Sequence, residues 1–228
     1  MQEWLLTLLP VAAAIAGAAI AAWMSPNELT VSGVRHFAAG VVFAAAAGEI
    51  LPDVVHGASP TATIVGGLIG LAVMIGVKQT EELLKGPTGL LAAVGIDVLI
   101  DGLVLGVAFN AGARAGLLLA VALTLEILSL GLALTASLGE FMKSRILIVA
   151  TVGLLSLLLP AGALLALPAA TLPPVLFTGV LAFGLVALLY LVTEELLVEA
   201  HEVKDTPLVA AMFFVGFLAV IVLDEFLA

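Results

Sequence analysis

Eight runs of mainly apolar residues, separated by short segments with charges, prolines or glycines, follow one another along the chain. A hydrocarbon core about 30 Å thick requires about 20 apolar helical residues for each crossing. The runs are too long and too rich in leucine and alanine for membrane-barrel strands, which alternate over about ten residues. The predicted fold is therefore all-α, a polytopic membrane protein with eight transmembrane helices. These spans lie near residues 3–24, 33–56, 62–84, 88–110, 114–138, 145–167, 173–199 and 207–227.

The composition excludes most classes of soluble protein. Hydrophobic residues make up 63% of the 228 positions and charged residues only 11%, whereas soluble domains are about 45–50% apolar and about 25% charged. A net charge of −10 would repel a nucleic acid. The loops are too short for a soluble domain. We therefore expect residues 1–228 to form a single transmembrane domain surrounded by the lipid bilayer.

Basic residues in the loops predict the orientation, because cytoplasmic loops carry more lysine and arginine. With the amino terminus outside, only Arg114 lies at the outer face. The inner face then carries five basic residues, namely Arg35, Lys85, Lys143, Arg145 and Lys204. We expect a multi-pass protein of the cell membrane with both termini outside. The first span lacks a basic leader and a small-residue cleavage site, so we expect it to be retained.

Acidic residues inside the spans indicate the functional site. A carboxylate at the bilayer centre costs at least about 2.5–3.5 kcal/mol. Asp97 and Asp101 nevertheless share one face of span four. Glu126 lies in the middle of span five and Glu195 in span seven. Such acids repel one another unless a cation lies between them or one is protonated. The predicted occupant is a hard or borderline divalent cation, and the alternative is protonated acids bonded across helices.

The ends of spans two and seven resemble each other. Residues 49–56 read EILPDVVH and residues 195–201 read ELLVEAH, so that an acid is followed four residues later by another acid and then by a histidine. The two spans are predicted to run in opposite directions. This is typical of an inverted-topology repeat around a site at the membrane midplane. We therefore expect helices 1–3 to be repeated as helices 6–8.

Several polar residues nearer the ends of the spans are candidates for a pathway or for charge balance. Glu49, Asp53 and His56 would serve the outer side, and Glu199, His201 and Glu202 the inner side. Except for Glu49, these acids are also compatible with solvated helix ends. Lys78 lies one turn from Glu81 and Glu82. It either pairs within its own helix near the cytoplasmic face or reaches the acids and replaces a cation.

Small-residue pairs predict where helices approach closely. Examples are Gly66 with Gly70, Gly102 with Gly106, and Gly112 with Gly116. These pairs are also compatible with a dimer face. Their spacing of four residues places both glycines of a pair on one helical face.

The order of these motifs resembles the ZIP (Zrt/Irt-like) family of divalent-metal transporters. Residues 97–102 (DVLIDG) resemble the family pattern His-Asn-x-x-(Asp/Glu)-Gly, with Asp97 at the histidine position and Val98 at the asparagine position. Residues 125–129 (LEILS) retain the acid of His-Glu-x-Pro-(His/Glu), and residues 195–199 (ELLVE) resemble Glu-Leu-x-Pro-Glu. The resemblance implies eight helices, a homodimer and two adjacent metal positions.

The resemblance also implies a ligand set. The first position would use Asp97, Asp101 and Ser129. The second would use Glu126 and Glu195, but Val98 offers no ligand atom there. With no histidine in these motifs, the donors favour Mn²⁺, Fe²⁺ or Mg²⁺ over Zn²⁺, although zinc also accepts carboxylates.

The expected function is therefore a ZIP-like secondary transporter of a divalent metal cation (zinc, manganese or iron), which is its substrate. We expect no organic cofactor, and the chain has no Gly-rich phosphate loop with its lysine. The alternative is a protein of the same fold that has lost metal transport and carries another solute or has a structural or regulatory role. An enzyme is not expected, because the motifs of intramembrane proteases and CDP-alcohol phosphotransferases are incomplete.

Overall fold

The computed structural model of the protein describes residues 5–84, 86–203 and 206–227, except for the side chains of 81–83. Within these ranges the chain forms helices and no strands. We number eight helical segments, with the following bounds: α1 Leu8–Met24, α2 Glu28–His56, α3 Pro60–Leu83, α4 Pro87–Ala111, α5 Ala113–Gly139, α6 Arg145–Thr171, α7 Pro174–Ala200 and α8 Pro207–Leu227. Among the described residues, the seven helices α2–α8 are long and apolar enough to cross a membrane. The prediction of an all-α, membrane-embedded protein is confirmed.

Some helix bounds differ from the predicted ones. We predicted that span two begins near residue 33, but α2 begins at Glu28, because the side chain of Asn27 accepts a hydrogen bond of 2.7 Å from the backbone N–H of Thr30. This is an N-cap interaction, which satisfies a free N–H group at the helix start. α6 is interrupted at Leu157. Pro160 accounts for the interruption, since it has no N–H group to bond to the preceding turn.

Two helices change their winding at the acidic motifs. α2 contains a π-helical turn at Ala46–Ile50, which includes Glu49. α7 contains another at Leu191–Leu196, which includes Glu194 and Glu195. Such turns are rare and frequently lie at functional sites. The two motifs that resemble each other in sequence therefore also share an uncommon backbone conformation.

Four pairs of helices make the most extensive contacts, namely α1 with α5, α3 with α7, α4 with α6 and α2 with α8. This set of pairs is unchanged when α1–α3 are exchanged with α6–α8 and α4 with α5.

α2 and α7 are antiparallel. Ser32 near the start of α2 donates a hydrogen bond of 2.8 Å to the carbonyl of Ala200 at the end of α7, and Gly57 packs against Thr178.

Glycines permit these close contacts. A methyl group on Gly66 would collide with the backbone of Gly179 in the α3–α7 pair, and one on Gly102 with the backbone of Leu159 in the α4–α6 pair. Comparable contacts occur in the other two pairs, at Gly17, Gly131, Gly40 and Gly216. Gly70 and Gly106 also face backbone atoms of their partner helices. The predicted close contacts are confirmed for the pairs in spans three and four. For the third pair they are not: Gly112 has nothing within 4 Å of an added methyl group, and Gly116 faces the side chain of Phe109.

The helices alternate in direction, which defines two faces of the bundle. We call the face at which α1, α3, α5 and α7 end face A, and the opposite face, at which α2, α4, α6 and α8 end, face B. His201 follows α7 at face A, and His56 ends α2 at face B.

Replacement of Gly66 by alanine is expected to lower the free energy of unfolding by about 1–3 kcal/mol, because the added methyl group overpacks the α3–α7 contact. Gly76 on the same helix has nothing within 4 Å of an added methyl group. Gly76→Ala is therefore the matched control and is expected to be neutral or stabilising, since alanine favours helices more than glycine does. Thermal unfolding of both purified variants measures the difference. Equal melting temperatures (Tm) would contradict the close packing at Gly66.

Candidate functional site

Three carboxylates from two neighbouring helices meet in the middle of the bundle. Asp97 and Asp101 lie one turn apart on α4, and Glu126 lies at the middle of α5. One oxygen from each side chain lies within 4.8 Å of the other two. The residues are 6%, 2% and 1% exposed. We call these three residues the carboxylate cluster. It contains three of the five residues predicted to bind metal.

The helix packing places the cluster. Because Asp97 and Asp101 are four residues apart, both project from one face of α4. α4 contacts α5 and α7 and packs closely on α6 through Gly102. Glu126 lies near the middle of α5, as the two aspartates do in α4. The site is therefore built on continuous helical segments and lies far from the loops.

The carboxylate cluster lacks the partners that buried polar groups ordinarily have. Among the described residues, no protein donor reaches Oδ1 of Asp97, Oδ2 of Asp101 or Oε2 of Glu126. Buried polar atoms are satisfied in the great majority of cases. Carboxylates this close also repel one another when ionised. The arrangement therefore requires a cation or bound protons to be stable.

The two remaining predicted ligands lie beside the cluster. Ser129 is 1% exposed, and its hydroxyl has no hydrogen-bond partner among the described residues. A cavity of about 30 Å³ is lined by Ser129, Asp97, Glu126 and the half-buried Glu195. This volume is sufficient for one water molecule or small ion. Glu195 thus faces the site although it lies outside the group of three.

Val98 occupies different surroundings. It is 1% exposed and lines a gap of about 10 Å³ together with apolar residues such as Ile127 and Leu134. Its side chain can neither bind a cation nor replace a ligand by hydrogen bonding. The second metal position implied by the resemblance therefore lacks the ligand expected from α4.

A larger cavity leads from face A to the cluster. It has a volume of about 280 Å³, and its wall includes Asp97, which also lines the small cavity. Four glutamates and one lysine complete its polar lining, namely Glu194, Glu195, Glu199, Glu202 and Lys78. We call this cavity the vestibule. Of the predicted inner pathway residues, Glu199 and Glu202 line it, and His201 follows α7 at the same face.

Lys78 on α3 forms an ion pair with Glu194 on α7. Its Nζ lies 3.5 Å from Oε2 of Glu194 on α7 and 6.0 Å from the centre of the Tyr190 ring. The side chains of Glu81 and Glu82, the predicted partners within α3, lie outside the described part of the structure. The described contact therefore links α3 to the π-helical turn of α7 in the wall of the vestibule.

Arg35 was not identified as a site residue from the sequence, where it served only to predict orientation. Its Nη2 lies 2.9 Å from Oε2 of Glu199, and its Nη1 donates a hydrogen bond of 3.0 Å to the Glu199 carbonyl. Arg35 also lines the small cavity beside Asp97. Nearby, the rings of His36 and His201 lie 4.8 Å apart in an edge-to-face arrangement. The only sequence signal for Arg35 was a cation near the start of an apolar span.

The predicted outer pathway residues lie on the opposite side of the bundle. Glu49 is half-buried near Asp53, Asp224 and Arg114. Arg114 donates a hydrogen bond of 2.7 Å from Nε to Oδ1 of Asp224. Neither the vestibule nor the small cavity is lined by Glu49, Asp53 or His56. The two cavities next to the carboxylate cluster therefore do not include the predicted outer pathway residues.

Comparisons with known proteins do not assign the chain to a family. No protein-family model matches it, and no curated protein matches it. The resemblance to the ZIP family therefore rests on the sequence motifs alone.

Replacement of Asp101 by asparagine is expected to raise the Tm of the protein in the presence of a chelator. The change removes one of three neighbouring acids while it keeps the side-chain shape. We expect an increase of about 2–4 °C, which corresponds to about 1 kcal/mol in a chain of this size. The control is Glu140→Gln, at an exposed position after α5, which is expected to leave Tm unchanged. A lower Tm for Asp101→Asn would instead indicate a structural hydrogen-bonding role for this acid.

Proposed function

We propose that the protein is a secondary transporter that moves a divalent metal cation inward across the cell membrane, as its resemblance to the ZIP family implies. The carboxylate cluster is the observation that carries the proposal. Its three buried acids present oxygens within 4.8 Å of one another, and each acid has one oxygen that no donor of the described residues reaches. A divalent cation would neutralise their mutual repulsion and would exchange its hydration shell for protein oxygens.

The cluster supports one bound ion better than two. Asp97 and Asp101 belong to the first position implied by the resemblance and Glu126 to the second, yet their oxygens fit around a single ion. Val98 removes a ligand from the second position. Ser129 and Glu195 line the adjoining small cavity and would complete the coordination. In this proposal Glu195 joins the ion as it passes between the vestibule and the cluster.

The chemistry of the donor atoms limits which divalent cation is the expected substrate. The ligands named above all provide oxygen, which suits Mn²⁺, Mg²⁺ and Fe²⁺ more than softer ions. Zn²⁺ remains a substrate to be tested, since it also binds carboxylates. The acids of the vestibule would raise the local cation concentration. Lys78 would balance charge through Glu194 rather than by taking a position in the cluster.

The proposed transport cycle uses the inverted repeat. Two observations support the repeat. The four helix pairs are unchanged when the two halves of the bundle are exchanged, and both acidic motifs contain a π-helical turn. In such folds, access alternates when one group of helices moves against the other around a fixed site. The vestibule would be the route on face A. Glu49, Asp53 and His56 would line the corresponding route on face B, and the proposal includes the homodimer that the resemblance implies.

Asp101→Asn is expected to lower metal uptake into proteoliposomes by about 100-fold or more. Loss of an outer-shell partner already reduces metal affinity or activity by about 10–100-fold, and Asp101 is proposed to contact the ion directly. Uptake would be measured with Mn²⁺, Fe²⁺, Zn²⁺, Co²⁺ and Cd²⁺ in separate assays. Glu140→Gln is the matched control and is expected to transport normally.

Two outcomes would contradict this proposal. Normal uptake by Asp101→Asn would exclude the cluster as the transport site. No saturable uptake of any metal by the folded wild-type protein would favour the alternative, a protein of this fold that no longer transports metal. The Tm measurement on the same variant shows whether it is folded, so that loss of transport is not confused with loss of structure.

The vestibule predicts one-sided access for a membrane-impermeant maleimide. The chain has no cysteine, so a single introduced cysteine is the only reactive thiol. Val198→Cys, in the wall of the vestibule, is expected to react from face A and to react several-fold more slowly with saturating metal. The control is Ala113→Cys at the exposed start of α5 on face B, which is expected to react from face B without protection by metal. Labelling of both cysteines from the same side would overturn the assignment of the vestibule to one face.

A further inference from the structure

A second polar cavity lies on face A, away from the vestibule. It has a volume of about 530 Å³ and lies between the ends of α1 and α5 and the starts of α2 and α6. None of its lining residues belongs to the vestibule or to the small cavity beside the cluster. Its volume falls within the range of about 300–1,000 Å³ that is typical of ligand-binding pockets. We call it the basic pocket.

The basic pocket is lined by two cations that have no acidic partner in the described part of the chain. The chain has seven lysines and arginines and 17 acidic residues. Three of the basic residues pair with carboxylates, namely Arg35, Lys78 and Arg114. Lys143 and Arg145 have no carboxylate within 4.0 Å among the described residues, and both line the pocket. In so acidic a protein, two unpaired cations at one cavity favour an anionic ligand.

The remainder of the pocket wall is amphipathic. Apolar side chains such as Ala22, Val31 and Leu132 form one part, and the hydroxyl-bearing residues Ser25 and Thr135 lie among them. A small soluble anion gains nothing from apolar walls, whereas a lipid presents a charged phosphate beside an apolar chain. Basic pockets between transmembrane helices bind anionic lipid headgroups in other membrane proteins.

Exposed aromatic residues close to the pocket in sequence favour a location at the depth of lipid headgroups. Trp23, two residues before Ser25 of the pocket wall, is 55% exposed, and Phe141, two residues before Lys143, is 52% exposed. Exposed tryptophans are enriched where the apolar core of a membrane meets the headgroups. We therefore expect the two cations to lie close to the level at which lipid phosphates are found.

We propose that the basic pocket binds the phosphate group of an anionic phospholipid, with Lys143 and Arg145 as the charged contacts. The binding would seat the lipid between the α1–α5 pair and the start of α6. This site is independent of the proposed metal transport, because it shares no residue with the carboxylate cluster or the vestibule.

The test measures Tm of the full chain in a neutral detergent while a ligand is added. The three ligands are phosphatidylglycerol, phosphatidylcholine and inorganic phosphate at equal phosphate concentration. We expect phosphatidylglycerol to raise Tm and the zwitterionic lipid to have little effect. Lys143→Gln and Arg145→Gln are each expected to weaken the apparent affinity about tenfold, the scale of a hydrogen bond to a charged group. Arg114→Gln, which removes one positive charge elsewhere, is expected to retain the response.

The outcomes separate the two sources of phosphate. A response to phosphatidylglycerol alone, lost in both pocket variants, supports the lipid site. An equal response to inorganic phosphate, also lost in both variants, supports the phosphate contact but assigns it to a soluble anion. No response to any ligand, or an unchanged response in the two pocket variants, would overturn the proposal.

Discussion

The burial of three carboxylates in an apolar bundle is the constraint on which the rest of the structure depends. Each charge at the bilayer centre costs at least about 2.5–3.5 kcal/mol, and α4 and α5 bring three of them within 4.8 Å. Close helix contacts are needed to hold such a group together. Gly102 and Gly131 provide them, since they admit the backbones of α6 and α1 behind the two acid-bearing helices. The glycine contacts therefore position the acids, although none of these glycines can bind a ligand through a side chain.

The charges around the carboxylate cluster are distributed unequally between the faces. Toward face A, acids of the vestibule extend the negative charge of the cluster, and Arg35 and Lys78 each hold one of these acids in an interhelical ion pair. Lys78 and Glu194 are about half exposed, so their pair contributes little stability. The pair neutralises part of the acidic charge in the wall of the vestibule. Toward face B, Arg114 and Asp224 form an ion pair near Glu49.

The sequence was sufficient to predict the features that depend on local spacing. The four-residue spacing of Asp97 and Asp101 places them on one helical face, and their charge in an apolar span identifies the site. Interhelical geometry could not be obtained in this way, because it depends on which helices pack together. Thus the sequence did not show that Glu126 would join these two acids more closely than Glu195 does. It also gave no reason to select Arg35, whose partner Glu199 is 164 residues away.

The π-helical turns show a further limit of local sequence information. In α2, Pro52 lacks an N–H group and follows the turn at Ala46–Ile50, so a disturbed hydrogen-bond ladder is expected there. In α7, Val198 lies at the position that corresponds to Pro52. Because valine keeps its N–H group, it does not account for the turn at Leu191–Leu196. The turns nevertheless include Glu49 and Glu195, the acids that correspond in the two similar motifs. A proline is therefore not the cause common to both turns.

This equivalence bears on how the proposed transporter would work. If the two halves exchanged conformations, the acids of α4 and α5 would stay at the centre, because the exchange interchanges these two helices. The residues around them would exchange roles, with Glu49 and Asp53 at face B taking the places of Glu195 and Glu199 at face A. The vestibule would then close at one face as a corresponding cavity opened at the other. A single buried site could in this way communicate with both sides of the membrane without a continuous pore.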